Sequence, residues 1–190
     1  MTRKIITFKN MNLLGENFPH IELKAIDSMG DEEKLNLVEI AKTQGKKIAL
    51  FFYPKDFSFI CPTELIALQE SIDEFETKRD TLIFGISCDT TDVHFAWLSQ
   101  PQDEGGIKGV EYPLLSDSKR ELSEMLGILD NEDGVPFRAT YLIDSTGEVF
   151  YQSINPMHIG RNVDDYLRII DAQIIKETKG MGCRANWKSQ

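Results

Sequence analysis

Ile48-Ala-Leu-Phe-Phe-Tyr-Pro-Lys-Asp-Phe-Ser-Phe-Ile-Cys61-Pro-Thr-Glu64 is the stretch whose reading decides the fold. Its first six residues form an uncharged apolar run, as expected of a strand buried on both faces. Pro54 ends that strand, because proline has no N–H for a central ladder. A helix follows over Thr63 to Lys78, with Pro62 suited to a first helical position and Glu64 placing negative charge in the first turn. Leu65, Leu68, Ile72 and Phe75 recur at steps of three and four, the period of a helix with one buried face. Cys61 therefore sits at or near the N-cap. The unpaired N–H groups and positive dipole end found there favour a thiolate over a thiol and make the sulfur nucleophilic near neutral pH. The plain alternative is that Cys61 is a small buried hydrophobe, as most free cysteines are.

Outward from this stretch, strands and helices alternate. The expected order is an entry segment at Ile21–Ile26, the strand and helix above, a strand over Thr81–Ser87, a helix over Val93–Gln100 and a loop through Gly105-Gly106. Tyr112–Leu115, a helix over Lys119–Leu126, strands over Ala139–Asp144 and Glu148–Ile154 joined at Ser145-Thr146-Gly147, and a long final helix closing at Gly180 complete it. The βαβ pattern followed by a hairpin and helix predicts an α/β thioredoxin-like fold, with a mixed central sheet flanked by helices. Residues 1–190 are expected to be one domain, with 180–190 a mobile C-terminal tail.

The chain has 190 residues, 41% hydrophobic and 27% charged, an ordinary globular composition. Its 21 basic and 31 acidic residues give a formal charge of −10 with no basic stripe, which argues against nucleic-acid binding. Met1–Asn10 lacks the apolar core of a signal peptide, and no run approaches the ~20 apolar residues of a bilayer span, so no membrane association and a cytoplasmic location are expected. Three cysteines, 61, 88 and 183, are an odd number in a chain too large to need disulfide staples, which suggests reduced or transient redox chemistry. No Cys-x-x-Cys or paired-histidine spacing suggests a metal, and no cofactor is expected. His20, His94 and His158 lie far apart and read as structural or interface residues. Cys88 follows an apolar strand and reads as a packed thiol.

The segment Pro54-x-x-x-Ser58-x-x-Cys61 with Pro62-Thr63-Glu64 resembles the active site of the peroxiredoxins, in particular the typical two-cysteine, alkyl hydroperoxide reductase C branch. The likeness runs from about Asn17 to Lys188. His94-Phe-Ala-Trp97 resembles the family's His-x-x-Trp, and Tyr112-Pro-Leu-Leu-Ser-Asp117 its Pro-Leu-x-Ser-Asp. Arg138–Asp144 is similar to the strand whose leading arginine reaches the active site, and Gly160-Arg-Asn-Val-Asp164 to the opening of the last helix. Cys183-Arg-Ala-Asn-Trp-Lys188 resembles the resolving-cysteine segment.

The resemblance implies a thiol-dependent peroxidase acting on hydrogen peroxide and organic hydroperoxides. Cys61 would be the nucleophile, oxidised to a sulfenic acid that Cys183 of a partner subunit resolves as an intermolecular disulfide. Arg138 would hold the thiolate and the departing oxygen, Ser58 would orient the peroxide, and Pro54 would shield the intermediate. Glu64 and Arg161 would fix the arginine. A homodimer, commonly assembled into a decamer, is implied, with thioredoxin, a related dithiol protein or a flavoprotein as reductant. By residue type alone, Arg138 is equally a solvated strand-end arginine, Ser58 a turn cap, Glu64 and Arg161 surface charges, and Trp187 an exposed aromatic.

The sequence departs from the pattern at Ser58, where threonine is commoner, at Arg184 in place of proline, and at Lys108, where sensitive members carry the last glycine of Gly-Gly-Leu-Gly. Without their covering C-terminal helix, easy opening and resistance to overoxidation are expected. A thioredoxin-type oxidoreductase is a rival on the same fold, but it calls for Cys-x-x-Cys, and residue 64 is Glu. A holdase or scaffold would not need the Pro54, Ser58, Cys61 set.

Overall fold

The structure is a computed structural model and describes residues 12–188. The reading of Met1–Asn10 lies outside the described residues, as do the last two residues of the expected tail. The chain runs β1 (Leu23–Ile26), β2 (Glu32–Leu35), α1 (Leu37–Gln44), β3 (Lys47–Phe52), α2 (Cys61–Glu70), α3 (Ile72–Arg79), β4 (Thr81–Ser87) and α4 (Thr91–Ser99). A short 3-10 turn at Gln102–Glu104 leads to β5 (Leu114–Ser116), α5 (Glu121–Met125), β6 (Leu129–Asp130), β7 (Val135–Pro136), β8 (Arg138–Ile143), β9 (Val149–Asn155) and α6 (Val163–Lys179).

Seven strands form one mixed sheet in the order β2-β1-β5-β4-β3-β8-β9. β4 pairs in parallel with β3 and with β5, whereas β8 runs antiparallel to β3 and to β9. β3 lies near the centre and its side chains alternate between two apolar layers. Ile48, Leu50 and Phe52 join one layer with Phe18, Val38 and Tyr141, while Ala49, Phe51 and Tyr53 join the other with Leu65, Phe75, Trp97 and Ile170. Burial on both faces accounts for the uncharged run in the sequence. Cys61 belongs to the second layer, so the sulfur sits at the edge of the core.

Several elements differ from the sequence reading. The helix expected over Thr63–Lys78 begins at Cys61 and is divided at Ser71, whose backbone at φ −104°, ψ 10° lies between α2 and α3. The apolar period continues across the break, so hydrophobicity gives no sign of it. The Lys119–Leu126 helix is shortened to Glu121–Met125 because Arg120 adopts a left-handed φ of 61°. The strand at Tyr112–Leu115 moves to Leu114–Ser116, since Pro113 has no N–H to donate. β2 and α1 are additional to the sequence reading: Glu-Glu-Lys-Leu has no apolar alternation, although Asn36 capping and Gly45 at φ 66° mark the limits of α1. The final helix closes at Gly180, φ 65°, as expected. Among the described residues no helix is long and apolar enough to cross a membrane.

Candidate active site

β3 ends at Phe52, and buried Pro54 turns the chain into a loop that reaches Cys61, the first residue of α2. Ile60 is the N-cap and supplies no side-chain acceptor, while the amides of Thr63 and Glu64 donate to its carbonyl at 3.0 and 3.4 Å. This turn places the sulfur beside the start of β8. Cys61 has 0% exposure, and Arg138 Nη1 donates to Sγ at 3.3 Å.

Arg138, the first residue of β8, is held from two further directions. Its Nη1 also donates to Glu64 Oε2 at 2.6 Å, and its Nε donates to the Met157 carbonyl at 2.8 Å. Glu64 is one helical turn beyond Cys61, so the helix itself brings carboxylate and sulfur to the same side. The other carboxylate oxygen accepts from Arg161, through the backbone N–H at 2.9 Å and Nε at 2.9 Å. Arg161 Nη1 reaches the Ala139 carbonyl at 3.0 Å, and its guanidinium lies 5.2 Å from the Phe51 ring centroid. Arg138 and Arg161 thus bracket one buried carboxylate, and both of its oxygens accept, so that no buried acceptor is left bare.

The sequence candidates are therefore brought together only in part. Cys61, Glu64, Arg138 and Arg161 form one contiguous cluster, with Pro54 buried at the start of the loop. The Ser58 hydroxyl donates to the Lys55 carbonyl at 3.0 Å, a contact within its own turn, and among the described residues no hydrogen bond joins it to Cys61. Cys183 is half-buried beyond Gly180, and all three cysteines are unpaired. The chain turns back after it, with Trp187 N–H donating to the Arg184 carbonyl at 3.1 Å. Trp187 lines a concavity of about 580 Å³ with Arg79, Asp171, Ile174 and Ile175.

A second cluster, which the sequence does not reveal as a unit, holds the loop. Asp56 Oδ1 accepts from the Tyr53 hydroxyl at 2.8 Å, its Oδ2 lies 2.7 Å from His94 Nδ1, and its backbone N–H donates to Asp89 Oδ2 at 2.9 Å. His94 Nε2 lies 3.2 Å from the Leu115 carbonyl, so that nitrogen carries hydrogen. Burial pushes the Asp56 carboxyl up from its ordinary range, opposed by its hydrogen bond with His94. His94 is thus structural, while His20 and His158 are exposed. Asp56 lies inside the quoted stretch, but nothing local in the sequence reveals a partner on α4.

Cys88 is half-buried, 3.9 Å from the Ser123 hydroxyl, and burial pushes its thiol up to about 11, as befits a packed group. Among the described residues no group of three or more His, Cys, Asp or Glu side chains is placed to hold a metal.

Comparison with known proteins bears directly on this geometry. Residues 14–152 match the AhpC/TSA family. An alkyl hydroperoxide reductase C from Mycolicibacterium smegmatis is 38% identical over 92% of this chain and 89% of its own. A peroxiredoxin 2 from Drosophila melanogaster is 38% identical over 80% of this chain and 77% of its own. The solved structure of reduced Plasmodium vivax 2-Cys peroxiredoxin superposes with a TM-score of 0.86 at 37% identity, over 93% of this chain and 90% of its own. With a family match over residues 14–152 and relatives of this identity over most of both chains, the chain belongs to the AhpC/TSA family, the peroxiredoxins, and is a thiol peroxidase.

Proposed function

We propose that this chain reduces hydrogen peroxide and organic hydroperoxides through Cys61, with Cys183 of a partner subunit as the resolving thiol. The observation that carries the reading is the 3.3 Å contact between Arg138 Nη1 and Cys61 Sγ inside a cluster of two guanidinium groups and one carboxylate. Two positive charges face one negative charge there, and a thiolate at Cys61 completes the balance.

The thiolate attacks the hydroxyl-bearing oxygen of the peroxide. An S–O bond forms, the O–O bond breaks, and the leaving oxyanion takes a proton from solvent, giving a Cys61 sulfenic acid and water or an alcohol. Arg138 stabilises the sulfur and the oxygen on which charge grows. Ser58, whose donor is engaged by Lys55, keeps lone pairs that accept from the peroxide O–H, and Pro54 walls the sulfur from solvent. Glu64 and Arg161 position Arg138. The Cys183 thiol then displaces water from the sulfenic acid, forming the intermolecular disulfide, and a dithiol donor such as thioredoxin, a related protein or a flavoprotein returns both sulfurs to thiols.

One domain over 1–190, with 180–190 as the resolving tail, fits this cycle. β9 ends the sheet, and a second copy adding to that edge would give the homodimer. Phe59, 94% exposed, and Phe95 supply apolar surface by which dimers would gather into a decamer. Unpaired thiols suit the cytoplasm. The test adds hydrogen peroxide to the pre-reduced protein and follows thiol loss and crosslinked dimer. Both should appear in the wild type and vanish in Cys61→Ser, and peroxide consumption by that variant would overturn the assignment.

A further inference from the structure

Phe57 lies four residues before Cys61 in the loop that ends at α2, with a left-handed φ of 51°. A bulky side chain is out of place there, because the Cβ of an L-residue crowds the following carbonyl. Nothing in the turn requires a large residue at this position for backbone reasons; glycine or asparagine would adopt it with less cost. What Phe57 gains is tertiary. Its ring packs on Trp97 of α4, with centroids 6.0 Å apart at 44°, although half of the residue stays exposed. On its N-terminal side the loop is fastened at Asp56, through Asp89 and His94, and on its C-terminal side by the first turn of α2. The strained residue therefore stands between two anchored points, held down by one aromatic contact.

We infer that Phe57 is a positioning residue whose strained backbone, offset by its packing on Trp97, keeps the closed loop near balance with an opened one. The inference rests on the proposed function in one respect: opening matters because Cys61, wholly buried when closed, must leave the core to meet Cys183. Closed, the loop keeps the sulfur against Arg138 for attack on peroxide. Once Phe57 lifts from Trp97, the backbone relaxes to φ below zero, and that relief favours exposure of the sulfur. Strain stored at a site and released on switching is a general way to hold two states close in free energy. Such a residue acts through the loop and touches neither the sulfur nor Arg138 by any hydrogen bond or charge contact.

The experiment compares Phe57→Ala with Phe57→Gly, two variants that lack the ring equally and differ in two opposed ways, tolerance of the left-handed region when closed and backbone freedom when open. Amide hydrogen exchange of the reduced full-length protein, without peroxide, reads the opening at Asp56, Thr63 and Glu64, whose amides are bonded when closed. At an ordinary φ, glycine opens a loop about two- to fivefold more than alanine, because it is freer in the open state. Strain reverses that order. Phe57→Gly should exchange about fivefold more slowly than Phe57→Ala at these amides. Phe57→Asn should match Phe57→Gly, which guards against a general loosening by glycine. Under peroxide, the rate of crosslinking to Cys183 should follow the same order, while the rate of Cys61 oxidation should not. Equal or faster exchange in Phe57→Gly overturns the inference whatever the enzyme does. Exchange in the expected order without peroxide consumption leaves the inference standing and defeats the peroxidase reading instead.

Discussion

Arg138 Nη1 lies 3.3 Å from Cys61 Sγ and donates at the same time to Glu64 Oε2, so a single nitrogen joins the sulfur to the carboxylate. The sulfur's environment is consequently a property of three elements: α2 supplies Cys61 and Glu64, β8 supplies Arg138, and the chain before α6 supplies Arg161. A change at any of them is felt at the sulfur.

Arg138→Ala should slow Cys61 oxidation by about two to three orders of magnitude, the scale expected when one preorganised donor to a developing oxyanion is lost. Stopped-flow fluorescence after mixing with hydrogen peroxide measures it. A rate within threefold of wild type would assign activation to the start of α2 instead.

Glu64→Gln leaves two buried guanidinium groups facing an amide that can accept from them but cannot balance their charge. Removal of one partner from such a buried network is expected to cost about 3–5 kcal/mol of stability. Urea unfolding of the reduced protein gives the value, and a loss below about 1 kcal/mol would mean that the cluster is better solvated than its burial implies.

Cys88 should resist alkylation. With its thiol pushed up to about 11 by burial, on the order of one molecule in ten thousand carries the thiolate at pH 7. Its modification by iodoacetamide, followed by mass spectrometry, should climb with pH towards 11. The folded state holds this proton longer than the unfolded one, so its contribution to stability is present below the ordinary thiol range and is lost as pH rises through about 11. Ready labelling at pH 7 would contradict the packed reading.

Peroxide should convert monomers to crosslinked dimers on non-reducing gels in the wild type and in Cys88→Ser, but not in Cys183→Ser. Dimers that require Cys88 would transfer the resolving role to that residue.

Much of this architecture was legible in the chain because local signals and tertiary burial agree. β4 runs from Thr81 to Ser87 as read, since an apolar run there is bounded by polar residues, and α6 ends at Gly180 because a left-handed residue stops it. Where charge replaces alternation, as in Glu32–Leu35, a strand is invisible until its partner is known. The cluster of Cys61, Glu64, Arg138 and Arg161 was named through a resemblance; neither arginine advertises its burial, because a guanidinium is buried only when its partners are already in place. Ser58 illustrates the reverse case. Its hydroxyl satisfies Lys55, the local bond that serines in turns commonly make. The link between Asp56 and His94 spans two elements and leaves no periodic trace.

The break at Ser71 has a mechanical meaning. A continuous helix from Cys61 to Arg79 would be a stiff rod, and any displacement of its first turn would lever the far end. Split as it is, α2 is a ten-residue unit. α3 is tied elsewhere, by Arg79 Nε and Nη2 donating to the two carboxylate oxygens of Asp171 on α6 at 2.6 and 2.8 Å. The interruption works as a firebreak: a displacement of the first turn of α2 is not levered rigidly into α3, which Arg79 and Asp171 tie to the helix from which the tail departs.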